Sequence, residues 1–332
     1  MSVKNKRKHT ALPNVRLLSE SFYMPQLKRK RQVWIYLPQN YGHTRQSYPV
    51  LYIQDGQNVF DEATAFAGEW EVDESLHAFE EVDDPGIIVV AIANGGDERI
   101  NEYAPWVHPK IGGGQGSQYV DFLVHTLKPY IDQHFRTLPQ REFTGIMGSS
   151  MGGLISLYAG LKYPQVFGRW GIFSPSLWFS DHIFSYLSDS TPLPHPRIYL
   201  LAGALESKSI VANTQRLYRM LLEQGLPPQA IQYCLRQDGK HSEWFWAREF
   251  LEAYSWLYRD FRILPLQNSI PWDELDPQQP ALMELIGQGG RRQRLETAPF
   301  TCFQNPSKLK KGSYLAKFYQ NQQLRKFPLV VE

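Results

Sequence analysis

The sequence predicts an α/β fold with a mostly parallel central sheet and helices on both faces. Short β-branched or aromatic runs alternate with longer helical patterns from about residue 27 to residue 261, as crossover connections between parallel strands require. The run IIVVAIA at 87–93 is apolar without alternation, which suits a strand covered on both faces. The chain has 332 residues, 42% of them hydrophobic and 14% aromatic, enough to core one large domain with an appendage.

VWIYL at 33–37, VLYI at 50–53 and IIVVAIA read as strands because β-branched and aromatic side chains fill them. Tyr119, Phe122, Leu123, Leu127, Tyr130 and Ile131 then recur at three- and four-residue spacing, predicting a helix in the segment that ends at HFRTLP. EFTGIM at 142–147 is the next strand. A helix follows from Met151 and stops before Pro164, since proline cannot continue the ladder. WGIF at 170–173, IYLLA at 198–202 and IQYCL at 231–235 complete the strands, with helices at 211–224 and 242–258.

This divides the chain into a basic N-terminal tail (1–14), a main domain (15–262) and a C-terminal extension (263–332). After FRILPLQN the extension carries Pro, Gln, Gly and basic residues with only short apolar stretches. It is expected to wrap the main domain or to be partly disordered.

A net charge of +2 and a pI near 8.3 come from nearly balanced acids and bases, so the overall field attracts no polyanion. The basic clusters KNKRK (4–8) and KRKR (28–31) read as a frayed tail and a solvated approach to a strand, not as nucleic-acid or membrane patches. No apolar run approaches the roughly 20 residues of a membrane span, and mean hydropathy is −0.40. Residues 1–10 have charge but no apolar stretch after them, so a cytoplasmic location is the default expectation. Cys234 and Cys302, without C-x-x-C or metal-ligand spacing, read as buried or free thiols in a reducing compartment, with a single disulfide as the alternative. No metal or organic cofactor is implied. The loop IGGGQGSQ (111–118) lacks the phosphate-binding pattern and reads as a mobile lip before a helix.

The chemistry centres on GIMGSSMGGLIS at 145–156. Gly148-Ser149-Ser150-Met151-Gly152 fits G-x-S-x-G, in which a serine sits on a strained strand-to-helix turn with its Oγ exposed. Ser150 is therefore the candidate nucleophile and Ser149 its spacer. The pattern would arise by chance in roughly one chain of this length in ten, so it needs partners.

In an α/β-hydrolase the order is Ser, then Asp or Glu, then His. Only His182, His195 and His241 follow Ser150. His195 stands between prolines before a strand, and His182 opens a helix with too little chain ahead of it for an acid-bearing strand. His241, in the Gly-containing loop RQDGKHSEW between the last strand and last helix, is the candidate base. Glu206 follows the strand IYLLA on a short loop and is the preferred acid, with Asp238 second. The oxyanion donors would be the backbone N–H of Met151 and that of Gln57 in QDGQNVF, with Gly56 as the lesser alternative. Trp70, Trp106, Trp178, Trp244 and Trp246 are pocket candidates, each also open to a core-packing role, with Trp178 and Trp244 favoured for their nearness to the loops of the candidate triad. Arg99 reads as an ion-pair partner of Glu69 or Glu102 in preference to a substrate-binding cation.

The runs YPVLYIQDGQNVFDEATAFAGEWEVDE, ANGGDERINEYAPW, GSSMGGLISLYAGLKYPQVFG, FSPSLWF and DGKHSEWFWA together resemble the putative-esterase family of α/β-hydrolases. That family includes feruloyl esterases, enterochelin-type siderophore esterases, S-formylglutathione hydrolases and mycolyltransferases. The nearest likeness is to a bacterial predicted-hydrolase branch whose substrates are mostly unassigned. The resemblance covers about residues 15–260 and implies Ser150 as nucleophile, His241 as base and Glu206 as acid. Many members carry Asp where Glu206 stands, and the tail has no counterpart. The expected function is a serine esterase acting on a small-molecule ester through an acyl-enzyme. Acyl transfer with the same triad, and a catalytically silent binding protein, are the alternatives. A homo-oligomer is compatible with the sequence.

Overall fold

The topology places the loops of the candidate site at the carboxyl ends of the parallel strands of one eight-stranded sheet. The computed structural model describes residues 8–80, 86–190 and 196–258, and backbone strands at 281–287, 292–297, 312–320 and 323–331. The chain runs through β1 (Val15–Met24), β2 (Arg29–Tyr36), β3 (Val50–Ile53), α1 (Val72–Glu80), β4 (Ile88–Ile92) and α2 (Arg99–Tyr103). A short pair, β5 (Val107–His108) and β6 (Gly112–Gly113), precedes α3 (Gly116–Phe122) and α4 (Lys128–His134), which a π-helical turn joins. Then come β7 (Thr144–Ser149), α5 (Met151–Lys162), β8 (Arg169–Phe173), α6 (His182–Ser188), β9 (Arg197–Gly203), α7 (Lys208–Glu223), β10 (Ile231–Arg236) and α8 (Glu243–Tyr258).

The eight-stranded sheet has the order β1-β2-β4-β3-β7-β8-β9-β10. β1, β2 and β4 pair antiparallel at one edge, and every later pairing is parallel. Side-chain alternation divides the strands between two cores. Val50 and Tyr52 of β3 face the core shared with α3, α5 and α7, whereas Leu51 and Ile53 face the core shared with α1 and α8. β4 and β9 divide in the same way, Ile198 and Leu200 to one side, Tyr199 and Leu201 to the other. Both faces are therefore covered, as the unbroken apolar runs predict. Among the described residues no helix is long and apolar enough to cross a membrane.

Several features depart from the sequence reading. β1 was not anticipated, because VRLLSESFYM lies at the sheet edge with most of its residues at least partly exposed and carries no continuous apolar signal. α1 was also missed, since only one face of this short, acid-rich helix is apolar. The cluster at 28–31 is not simply solvated: Arg29 and Arg31 both pair with the carboxylate of the fully buried Glu102. The end of the N-terminal tail is anchored, with His9 Nδ1 2.7 Å from Asp61 Oδ2 and the Leu12 N–H donating to Asp73 Oδ2 at 2.8 Å. Residues 1–7 lie outside the described residues.

In the tail, β11 (Ala281–Gly287), β12 (Arg292–Thr297), β13 (Gly312–Gln320) and β14 (Gln323–Val331) form an antiparallel sheet in the order β12-β11-β13-β14. The expectation of a wrapping or partly disordered extension otherwise concerns residues outside those described. Cys302 lies there too, while Cys234 is a buried free thiol whose burial pushes its pKa up to about 11.

Candidate active site

β7 ends at Ser149 and α5 begins at Met151, leaving Ser150 alone at the joint with φ 57° and ψ −122°. A non-glycine residue in this region carries strain of about 1–3 kcal/mol, which the surroundings must hold in place. They do so through backbone bonds: the Ser150 N–H donates to Phe173 O at 3.0 Å, and Ser150 O accepts from Ser176 N–H at 3.0 Å. The flanking glycines follow from the tightness of the turn. A Cβ on Gly148 would lie 2.6 Å from Gly152 O, and one on Gly152 would lie 3.0 Å from Asp55 Oδ2.

The structure brings Ser150, His241 and Glu206 together from the ends of β7, β10 and β9. Ser150 Oγ lies 3.0 Å from His241 Nε2, and His241 Nδ1 lies 2.9 Å from Glu206 Oε1. The Glu206 side chain is fully buried, while that of His241 is 37% exposed. The second carboxylate oxygen of Glu206 accepts from Gly203 N–H at 3.0 Å. A carboxylate can only accept, so Nδ1 carries the imidazole proton and Nε2 is left to accept from the serine hydroxyl. Asp238, the second candidate acid, is turned away: it makes two bonds to Arg248, at 2.6 and 3.1 Å. The Leu205 N–H donates to Gly239 O at 3.0 Å, tying the acid loop to the histidine loop.

Two further neighbours stand beside this path, of which only Ser176 carries no expectation from the sequence. Ser176 Oγ is 3.2 Å from Ser150 Oγ, and Trp246 stands edge-on to the His241 ring, with centroids 4.9 Å apart. The Trp246 indole N–H donates to Ser174 Oγ at 2.9 Å, which fixes the ring. The run FSPSLWF contains both serines, but nothing in its spacing distinguishes Ser176 from an ordinary loop residue.

Ser150 and His241 open onto a cleft of about 1100 Å³. Gln57 lines it from a 3₁₀ turn at Gly56–Asn58 directly after β3. The Met151 amide opens α5, where first-turn N–H groups have no intrahelical acceptor. The turn carrying Gln57 is held by Asp55, itself at φ 55°, whose carboxylate accepts from Arg99 Nε at 2.7 Å and Nη2 at 2.9 Å. Arg99 therefore pairs with Asp55 and not with Glu69 or Glu102. β3 and β4 are adjacent in the sheet, so the loops that follow them meet at its end.

The other four candidate tryptophans separate. Trp70 lines the cleft, stacked on Phe173 with centroids 5.6 Å apart. Trp106 instead packs among Tyr158, Tyr186 and His182. Trp178 and Trp244 are exposed and lie outside the cleft lining, the latter beneath the Arg248 guanidinium. Sequence proximity to a catalytic loop does not decide which way an indole turns.

Among the described residues, Glu69, Asp73 and Glu74 bring one carboxyl oxygen each to within 4.8 Å of one another. Burial pushes Glu69 up to about 7 and raises Asp73 and Glu74 as well. Glu69 accepts from Thr10 Oγ1 at 2.7 Å, tying the trio to the anchored N-terminal segment.

The family described as "Putative esterase" matches residues 24–257. The chain is 26% identical over 241 residues to the uncharacterised protein YbbA of Bacillus subtilis, covering 69% of this chain and 92% of that one. It is 27% identical to the iron(III) salmochelin esterase of Escherichia coli, covering 68% of this chain and 54% of that one. Among solved structures it superposes on the BES protein of Bacillus cereus with a TM-score of 0.59 at 19% identity, over 77% of this chain and 98% of the other. The enterobactin esterase of Shigella flexneri gives 0.58 at 20% identity, over 77% of this chain and 61% of the other. These likenesses establish the fold, and the family match establishes the lineage: the chain belongs to the "Putative esterase" family of α/β-hydrolase-fold carboxylic ester hydrolases.

Proposed function

We propose that the chain hydrolyses a small-molecule carboxylic ester through a covalent acyl-enzyme on Ser150. The observation that carries this reading is the continuous path of hydrogen bonds from Ser150 Oγ through His241 to the buried Glu206, beginning on a residue held at positive φ. His241 Nε2 takes the proton of Ser150 as Oγ attacks the ester carbonyl, and Glu206 keeps the ring in the required tautomer. The amides of Met151 and Gln57 are assigned to the developing oxyanion, where paired N–H donors act most strongly. Collapse of the tetrahedral intermediate expels the alcohol, which takes its proton from His241.

Water then adds to the acyl-enzyme with His241 again as base. Hydrolysis is preferred to acyl transfer because the His241 side chain is 37% exposed, so solvent reaches the base directly. No step calls for a metal or organic cofactor. A reducing compartment fits the free buried thiol of Cys234, and the cytoplasm is where we place the enzyme.

The test is Ser150→Ala. It is expected to abolish hydrolysis of short p-nitrophenyl esters while leaving the melting temperature nearly unchanged. Wild-type activity in that variant would defeat the reading.

A further inference from the structure

The charges lining the cleft are unevenly matched. Among its described lining residues, besides His241, the ionisable side chains are Asp55, Asp97, Glu243 and Arg99. Arg99 directs both Nε and Nη2 at Asp55, so its charge is already cancelled. That leaves Asp97 at the exposed rim and Glu243 half-buried at the start of α8, beside the catalytic loop.

Glu243 is poorly compensated. Its Oε1 accepts from Asn58 Nδ2 at a long 3.4 Å, and burial pushes its carboxyl above the usual range, the charge of Asp55 adding to this while its own backbone N–H and the nearby His241 and Arg99 offset it only in part. The same Asn58 accepts through Oδ1 from the Phe66 N–H at 2.8 Å. One amide thus links the Glu243 carboxyl to the backbone of Phe66, a residue that is 84% exposed and lines the cleft. Trp246 lines it as well, on the Ser150 side.

A carboxylate held in no salt bridge among the described residues, in a cleft that also holds the exposed Phe66 ring, suits a cation: the carboxylate supplies charge and the ring quadrupole adds attraction. An anion entering the same cleft would meet unbalanced negative charge, with the guanidinium already engaged. We infer that the site selects esters whose alcohol portion carries a cationic group such as a substituted ammonium, and disfavours esters bearing an anion. This rests on the reading of Ser150 as the nucleophile of this cleft. The cleft volume leaves room for such a group beyond the ester itself.

The experiment compares three acetate esters of similar shape with the full-length protein at low ionic strength: acetylcholine (cationic), 3,3-dimethylbutyl acetate (neutral) and 2-sulfoethyl acetate (anionic). p-Nitrophenyl acetate serves as the reference. The expected order of kcat/KM is cation, neutral, anion, with at least tenfold between the extremes, about 1.4 kcal/mol. Added salt should narrow the spread. Glu243→Gln, which keeps shape and removes charge, should bring the cation-to-anion ratio toward one whatever it does to the absolute rates. A flat or inverted series in the wild type, or no turnover of the cationic ester, overturns the inference while hydrolysis of p-nitrophenyl acetate leaves the esterase reading standing. Loss of all four activities overturns that reading, and the inference with it.

Discussion

The hydroxyl oxygens of Ser150 and Ser176 lie 3.2 Å apart, and the direction of the bond between them follows from the rest of the site. Glu206 can only accept, so His241 donates to it, and Nε2 must accept from Ser150. The single proton of Ser150 is then engaged, which leaves Ser176 as donor to Ser150 Oγ. Such a donor holds the nucleophile in its rotamer and stabilises negative charge as the proton leaves. A hydrogen bond to a charged group contributes about 1.5–3 kcal/mol. Ser176→Ala is therefore expected to slow acylation roughly tenfold to hundredfold with KM little changed, as read from stopped-flow p-nitrophenol release.

Glu206 and Asp238 separate cleanly by substitution. Glu206→Gln removes the acceptor that sets the imidazole tautomer, and a fall in kcat of about 10³ to 10⁴ is expected. Asp238→Asn weakens the contact with Arg248 and is expected to lower kcat less than tenfold, with its main effect on melting temperature. Steady-state kinetics and thermal unfolding of the two variants check this together. Equal losses of kcat would contradict it.

The Asp55–Arg99 pair holds the turn on which Gln57 presents its amide. Asp55→Asn leaves a partly buried guanidinium without its counter-charge, with an expected loss of about 2 kcal/mol, or roughly 6 °C in Tm. Combining it with Arg99→Gln is expected to recover stability but not kcat/KM, because the turn loses its clamp either way. Calorimetry and ester turnover on the single and double variants distinguish these effects.

Much of this arrangement was legible in the sequence for a physical reason. β3, β4 and β7 to β9 are buried on both faces, so their apolar runs are conspicuous. Ser150, Glu206 and His241 follow strands in chain order, and that order together with their positions on loops after strands singled them out from few competitors. The partner of Arg99 was not legible, because Asp55 lies 44 residues away and meets it only through the adjacency of β3 and β4. The tryptophans were no more so: Trp70 and Trp246 form one wall with Phe173, and Trp244 turns outward, a difference made by packing that no spacing encodes. The edge strand β1 was hidden because exposure dilutes its pattern.

The buried carboxyls around Glu69 carry a pH signature. Its folded pKa of about 7 lies above the ordinary 4.5, so it favours folding fully below about pH 4.5, and that contribution is lost as pH rises through 7. Glu69→Gln keeps the bond to Thr10 within reach and removes the titration. The variant is expected to gain on the wild type with rising pH, by about 3 °C in Tm between pH 5 and pH 8, or ~1 kcal/mol after allowance for solvent screening. Thermal unfolding at the two pH values checks it, and a pH-independent difference would contradict the assignment.

The most direct measurement is the site of covalent capture. Intact wild-type protein treated with a fluorophosphonate, then digested and sequenced by mass spectrometry, is expected to carry one adduct, on Ser150 in the peptide containing GIMGSSMGGLIS. Ser150→Ala is expected to carry none. An adduct on Ser149 or Ser176 instead, or an unmodified protein that still turns over esters, would contradict Ser150 as the nucleophile.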